Sequence, residues 1–459
     1  MSVKVTVYIA TYNYGRFIEK AVDSVLAQTM SDWELIIIND GSTDNTMEVL
    51  ERFQGYPRIR IIDQENKGLN RTNNIALRVS SGKYIVRLDA DDYLDENALL
   101  ILSNTLDVKK EVDLVYPDYF LIDQDGKILE MVRRKKLAEE VQLLDMPAHG
   151  ACTMYRTSVL RQIGGYIENY TCQDGYEMWL RFIQKHKPYN VNIPLFYYRQ
   201  HPLSLTKNQN KILDTRREIK RQFVEKNITS KPLKVLGIIP ATRKSIYAKN
   251  DPLVEIAGKP LIWHTLSQLE KVRSMEMVVL SSEDDDVLEY GKEFSKVISL
   301  KREPHLAKAN TRMVDLSSSI LAYLRQEKRF EPDAVCVLNV NTPLRKAHHI
   351  DWAIDTMRIF DVDAVISVLE ELADCYQHEK FGLTPIRSSR KGMRVERDAI
   401  YRANGAVTLC LADKLEVMDG NLDNRTVGHI VMLSQESVRI NSEFEFWLAE
   451  KILASDFNQ

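Results

Sequence analysis

The chain has 459 residues, more than one hydrophobic core ordinarily serves, so two or three domains are expected. Hydrophobic residues make up 44% and charged residues 28%, a soluble globular composition; the net charge of −3 lacks the overall basic field of a nucleic-acid binder. No apolar run approaches the roughly 18 residues of a membrane span, and the first residues carry no signal-peptide pattern. Five scattered cysteines, none in a CxxC pair, argue against a zinc site and fit a reducing cytoplasm. Any membrane contact is expected to be peripheral, at the inner face.

The first predicted elements are the strand "KVTVYIATYN" and the helix "RFIEKAVDSVLAQT", with apolar residues at helical spacing. The strand "WELIIINDGSTDNT" follows, then a further helix, then "RIRIID" and "GKYIVRLDADD". Strands alternating with helices predict a parallel sheet covered on both faces. Ligands of such sheets bind beyond the carboxyl ends of the strands. The polar residues fall there: Thr11, Tyr12 and Asn13, then Asp40, then Asn66 and Gly68, then Asp89, Asp91 and Asp92. Like charges so close repel and raise one another's pKa. A hard divalent cation, magnesium or manganese, would offset that repulsion and bridge to a diphosphate. The alternative is a solvated turn with helix-capping aspartates.

A charge-rich segment over 207–232 predicts a helical linker whose solvated face would carry its charges. Near residue 233 the alternation restarts with "PLKVLGIIPATR", "PLIWHTLSQLEKV" and "MEMVVLSSEDDDVLEYGKEF"; "AVCVLNVNTPL" and "DAVISVLEE" give further strands. The expected architecture is two Rossmann-like α/β nucleotide-binding domains in tandem, over 1–206 and 233–459.

The first half resembles the inverting family 2 glycosyltransferases of the GT-A fold. The resemblance runs in order through "YIATYNYGRFIEKAVDSVLAQT", "ELIIINDGSTDNT", "NKGL", "GKYIVRLDADD", "GGY", "CQDGYEMWLRF" and "PLFYYRQH". It implies that Thr11, Tyr12 and Asn13 line a nucleoside site, that Asp40 reads the base, and that Asn66, Gly68 and Asp89 also face the donor. Asp91 becomes the foremost metal ligand of a DxD pair with Asp89. Inverting transfer needs a base for the acceptor hydroxyl; the resemblance places it at Asp174, with Glu177 as the alternative. Arg199 and His201, in "YYRQH", fall where the family binds diphosphate or completes the metal shell. The segment around His149 falls near the acceptor pocket. The implied partners are a nucleotide-sugar donor, with uridine the commonest base, and a saccharide or lipid-linked acceptor.

The second half resembles the cytidylyltransferases that make CMP-sialic acids, through "IIPATRKS…KN", "IAGKPLIWHTL", "VVLSSEDDDV", "LNVNTPLR", "DAVISVLE" and "YRANGAVTL". Its nucleotide contacts would be Arg243, Lys244, Lys249, Asn250, Asn339 and Asn404. The family's glycine-rich first loop has lost its glycines here, and the metal segment "DIDTEED" reads "RINSEFE", with Arg439 and Asn441 where two aspartates are expected. A cation is disfavoured beside an arginine. Either this half is a non-catalytic module, dimeric as the family commonly is, or it activates a nonulosonic-type sugar with CTP. The sequence "SSEDDD" reads as a strand-end turn leading a helix, or as replacement metal ligands.

Overall fold

The computed structural model describes residues 3–137, 139, 143, 145, 150–170, 172–173, 175–201, 209–243, 251–308, 310–380, 382–386 and 400–455. Two compact units divide the chain, Met1–Ile219 and Lys220–Gln459.

Unit 1 runs β1 (Val5–Thr11), α1 (Ile18–Leu26), β2 (Trp33–Asp40), α2 (Thr46–Glu51), β3 (Ile59–Gln64), α3 (Leu69–Val79), β4 (Tyr84–Asp89), β5 (Tyr93–Leu94) and α4 (Ala98–Val108). It continues through β6 (Leu114–Ile122), β7 (Ile128–Val132), β8 (Met154–Arg156), α5 (Thr157–Gln162), α6 (Tyr176–Ile183) and β9 (Pro188–Arg199). Its sheet has the order β3-β2-β1-β4-β8-β6-β9-β5, with β7 paired to β6. Strands β3, β2, β1 and β4 are parallel, as the alternating pattern predicts. Their interiors are apolar on both faces: Val5, Val7, Ile9, Leu35 and Ile37 pack to one side, Tyr8, Ile36, Ile38 and Ile85 to the other. A doubly covered parallel sheet requires this. Register then sets the polar ends side by side, with Thr11 opposite Asn39 and Ala10 opposite Asp89.

The division between the units falls inside α7 (Gln209–Asn227). In unit 1, Arg216 Nε donates to Gln173 Oε1 at 2.6 Å and its guanidinium lies 4.8 Å from the Tyr176 ring centroid. In unit 2, Phe223 and Val224 are buried, and Lys220 is 2% exposed, its ammonium donating to Thr356 Oγ1 and facing the Phe360 ring. Ile219, Lys220, Phe223 and Val224 thus pack along one side of the helix, while Asp214, Glu225 and Lys226 stay exposed.

Unit 2 comprises β10 (Val235–Pro240), β11 (Glu255–Ile256), β12 (Lys259–Pro260), α8 (Leu261–Leu269), β13 (Met277–Ser282), α9 (Asp285–Gly291), β14 (Val297–Lys301), α10 (Met313–Tyr323) and β15 (Ala334–Val337). Then come α11 (Ala347–Phe360), β16 (Ala364–Glu371), β17 (Tyr376–Glu379), β18 (Gly382–Pro385), β19 (Ile400–Leu411), β20 (Val427–Val431) and α12 (Glu443–Ala454). Its main sheet has the order β14-β13-β10-β15-β19-β16-β20. Both units are thus α/β domains, in tandem.

Candidate active site

The turn after β4 carries the acidic cluster, and its members do different work. Asp89 and Arg87 lie two residues apart, on one face of β4 by the strand's period of two. Arg87 Nε donates to Asp89 Oδ1 at 2.6 Å and Nη2 to Oδ2 at 3.1 Å, a two-point pairing that fixes the carboxylate plane. Asp92 is 1% exposed; its Oδ1 accepts from the Arg199 amide at 2.9 Å, tying the end of β9 to the turn. Burial, then the neighbouring charges of Asp91 and Asp89, push the Asp92 carboxyl well above its ordinary range.

Asp91 faces His201. His201 Nε2 lies 2.9 Å from Asp91 Oδ2, with the imidazole 5% and the carboxylate 16% exposed. Tyr14 and Phe17 hold the imidazole, at ring-centroid separations of 5.9 and 5.5 Å. Burial, and then Asp91, Asp89 and Asp92, raise the Tyr14 phenol, which stays neutral. A carboxylate oxygen and an imidazole nitrogen, both of them metal-ligand types, thus meet here from separate elements, while both oxygens of Asp89 are engaged by Arg87.

Arg199 uses most of its guanidinium on the main chain. Nε donates to the Asp91 carbonyl at 2.8 Å, and Nη1 to the Asp123 and Gln124 carbonyls at 3.2 and 2.9 Å, while the guanidinium lies 4.9 Å from the Phe17 ring centroid. Asp40 is likewise engaged. Its carboxylate accepts from Gln64 Nε2 at 2.7 Å and from the amides of Lys67 and Gly68 at 2.8 and 2.9 Å, so it closes the loop bearing Asn66 and Gly68. Gly41 permits that closure, since a Cβ there would meet the Asn66 amide at 2.7 Å. Asn13, at φ 61°, accepts the Thr43 amide at 2.7 Å, while Tyr12 is 45% exposed. The Thr11 hydroxyl is buried and has no partner among the described residues.

Asp174, His149, Lys244, Lys249 and Asn250 lie outside the described residues. Beside Asp174 in sequence, Gln173 takes φ 57° and is held by Arg216, and Tyr176 bonds Asp145. Glu177 is 6% exposed and both its oxygens accept from Arg181, at 2.8 and 2.6 Å, an ion pair within α6 rather than an open base.

In unit 2 the strand ends bear different chemistry. Arg439 Nη1 and Asn339 Nδ2 crowd Gly405, 3.2 and 3.5 Å from where a Cβ would stand, so a guanidinium lies beside Asn339. Asn339 donates to the Gly405 carbonyl at 2.9 Å. Asn404 is buried, accepting from Ser367 Oγ at 2.5 Å and donating to Ser437 Oγ at 3.0 Å. Arg243 faces Asp251 at 2.9 Å and Asp284 and Asp286 at 3.6 Å. Asp284 caps α9, accepting the Asp286 and Val287 amides, which assigns "SSEDDD" to helix initiation. In "RINSEFE", Ser442 Oγ accepts the Glu445 amide while Glu445 Oε2 accepts the Asn441 amide at 2.7 Å; the pair opens α12.

Two groupings escaped the sequence reading. The two-residue spacing of Arg87 from Asp89 puts both on one face of β4 but does not give their pairing. His348, His349 and Glu436 converge with no such signal, since β16 to β20 intervene in the chain. Their chemistry does not fit a metal: His349 Nδ1 already accepts the Lys346 amide at 3.1 Å, so the proton sits on Nε2, facing Glu436 Oε2 at 3.2 Å. The Lys346 ammonium holds Glu436 Oε1 at 3.1 Å. Burial would raise the Glu436 carboxyl, but these two partners outweigh it and bring it down to about 2.

Ligands of an open α/β sheet bind beyond the carboxyl ends of its strands, and the acid–imidazole pair stands there. Residues 6–164 match the family described as glycosyl transferase family 2, and residues 236–400 match that described as cytidylyltransferase, so the two halves carry the two family segments that their motifs suggested. The chondroitin synthase of Escherichia coli is 30% identical over 178 residues, 39% of this chain and 26% of that protein. The glycosyltransferase GlyG of Streptococcus pneumoniae is 35% identical over 129 residues, 28% of this chain and 42% of GlyG. This chain therefore spans less than half the length of either relative. Among solved structures, S. aureus TarS 1-349 in complex with UDP-GlcNAc aligns over 49% of this chain and 67% of its own, with a TM-score of 0.42 and 16% identity.

Proposed function

We propose that unit 1 is a metal-dependent inverting glycosyltransferase. It would take a sugar from a nucleoside-diphosphate donor, UDP-linked by preference, to a saccharide or lipid-linked acceptor in surface-glycan synthesis. The observation that supports this most is the Asp91–His201 pair, 2.9 Å apart at the sheet's carboxyl-end rim. The buried, unpartnered Thr11 hydroxyl adds a ready contact for the nucleoside. A manganese or magnesium ion held by Asp91 and His201 would supply positive charge against the diphosphate leaving group. Asp174 would accept the acceptor hydroxyl's proton as that oxygen bonds the anomeric carbon from the face opposite the leaving diphosphate, giving inversion. Arg87 would keep Asp89 oriented toward the donor, and Nη2 of Arg199 would meet the diphosphate.

Unit 2 would serve as a non-catalytic dimerisation or binding module. The guanidinium of Arg439 beside Asn339, where the family holds a cation, supports this over CTP-dependent sugar activation. Tyr376, Leu383 and Ile386, on and beside the β17–β18 hairpin, stand 51–71% exposed and offer an apolar surface to a second copy.

The test is a melting-temperature screen of nucleotide sugars with and without manganese, since ligands of the native state raise its melting temperature. A shift requiring both a nucleotide sugar and manganese, absent in Asp91→Ala, is expected. Manganese-independent shifts, equal in wild type and variant, would refute the reading.

A further inference from the structure

The hairpin of β6 and β7 carries a surface that the transferase reading does not use. Among the described residues β7 pairs with β6 alone, and Ile128, Leu129 and Met131 are 51, 52 and 50% exposed. The pairing skips Leu129, which bulges between Ile128 opposite Ile122 and Glu130 opposite Leu121, so the alternation breaks there and Ile128, Leu129 and Met131 all stand exposed while Val132 packs against the core. Edge strands normally guard themselves with charge and avoid large apolar residues. Here three such residues stand in water, and the chain then runs directly into Arg133, Arg134, Lys135 and Lys136. Within the hairpin and the residues after it, 123–136, there are five cations and three acids, Asp123, Asp125 and Glu130, against a net charge of −3 for the whole chain, and four of the cations follow one another at 133–136. Lys127, Arg133 and Lys135 are exposed.

The hairpin is also held firmly. The Asp123 amide donates to the Lys127 carbonyl at 3.0 Å, and the Asp123 carboxylate accepts the Asp125 and Lys127 amides at 3.0 and 2.9 Å. Arg199 grips the Asp123 and Gln124 carbonyls while bonding the Asp91 carbonyl, so the turn is fastened to the acidic loop of the site.

We infer that the β6–β7 hairpin docks on an anionic phospholipid surface, with Ile128, Leu129 and Met131 entering the interface and the following cations pairing with headgroups. Apolar side chains that insert beside a basic cluster match a negatively charged bilayer, and each cation near such a surface strengthens partitioning about fivefold. A partner copy of this chain is the weaker match, because its own five cations would face these. Docking here would set the Asp91–His201 pair near the bilayer, where a lipid-linked acceptor would present its sugar. The binding itself does not depend on the transferase reading.

The test is co-sedimentation of the full chain with phosphatidylcholine vesicles, with and without phosphatidylglycerol. The protein should pellet with the anionic vesicles only, and less so in high salt. The triple variant Ile128→Ser/Leu129→Ser/Met131→Ser should stay in the supernatant while its melting temperature matches wild type. Arg133→Glu/Lys135→Glu should lower the bound fraction at least tenfold. Wild type left in solution, or a triple variant that pellets like wild type, would overturn the inference. So would a wild type that fails to pellet while the triple variant converts a dimer to a monomer in light scattering, which would assign the hairpin to a subunit interface. A sugar-transfer failure with intact pelleting would count against the proposed function alone.

Discussion

His201 Nε2 and Asp91 Oδ2 stand 2.9 Å apart although 110 residues separate them in the chain. The end of β9 delivers the imidazole to the turn after β4, and Phe17 and Tyr14 keep it there. Two potential ligands from distant elements therefore converge before any ligand binds. His201→Ala should weaken manganese-dependent donor binding and sugar transfer roughly 10–100-fold. Asp91→Ala should remove both. Titrating manganese against transfer rate checks this: the His201→Ala loss should be partly recovered at high metal. An unchanged metal requirement in both variants would end the assignment.

Asp174 and Glu177 should separate cleanly. Asp174→Asn is expected to abolish transfer with little change in melting temperature. Glu177→Gln breaks the pair with Arg181 inside a buried helix face and should cost about 1–3 kcal/mol of stability while transfer persists. Parallel kinetics and thermal melts decide it; the opposite pattern would make Glu177 the base.

Asp355 gives a pH dependence with a definite sign. It is 6% exposed on α11, and burial, opposed by Arg273, pushes its carboxyl from 3.8 up to about 6. The native state therefore holds this proton more tightly than the unfolded chain does. Its contribution is most favourable below about pH 4 and declines as pH rises through about 6, because the carboxylate must then be ionised while buried. Asp355→Asn should be neutral near pH 4 and stabilising by about 1–2 kcal/mol at pH 7. Urea melts at the two pH values measure this; a variant less stable at pH 7 than wild type would contradict it.

Unit 2 should release no pyrophosphate from CTP. The full chain, incubated with CTP, magnesium and several nonulosonic acids, is expected to match the blank. Release with any of them would establish sugar activation and place its chemistry on residues other than Arg439.

Leu383→Asp tests the dimer separately. At 71% exposure in β18 the leucine has little to lose in a monomer. The substitution should halve the mass seen by light scattering while leaving the melting temperature of the monomer near that of wild type. Wild type running as a monomer would dispose of the dimer outright.

Much of this was legible in the chain. Period and composition alone gave the β1–β4 alternation, because a parallel sheet buried on both faces demands continuous apolar strands such as "LIII". The strand-end positions of Thr11, Asp40 and Asp91 followed from the same alternation. Partner choice was less legible. Nothing in the spacing shows that Arg87 engages both oxygens of Asp89, or that Arg199 faces three carbonyls, since those depend on loop closure. The burial in α7 was also hidden: its charge-rich sequence masks the few positions, Ile219, Lys220 and Phe223, that pack. "RINSEFE" shows the limit of alignment alone. Its S-x-x-E spacing, Ser442 to Glu445, forms the cap that opens α12, which comparison with the metal segment of its counterpart does not show.

Arg199 has one further consequence. A single planar guanidinium joins the carbonyl beside Asp91 to the tip of the β6–β7 hairpin, and lysine could not replace it, having no rigid fork to span three acceptors. The acidic turn and the hairpin's tip consequently share one anchor, and removing Arg199 would release both at once.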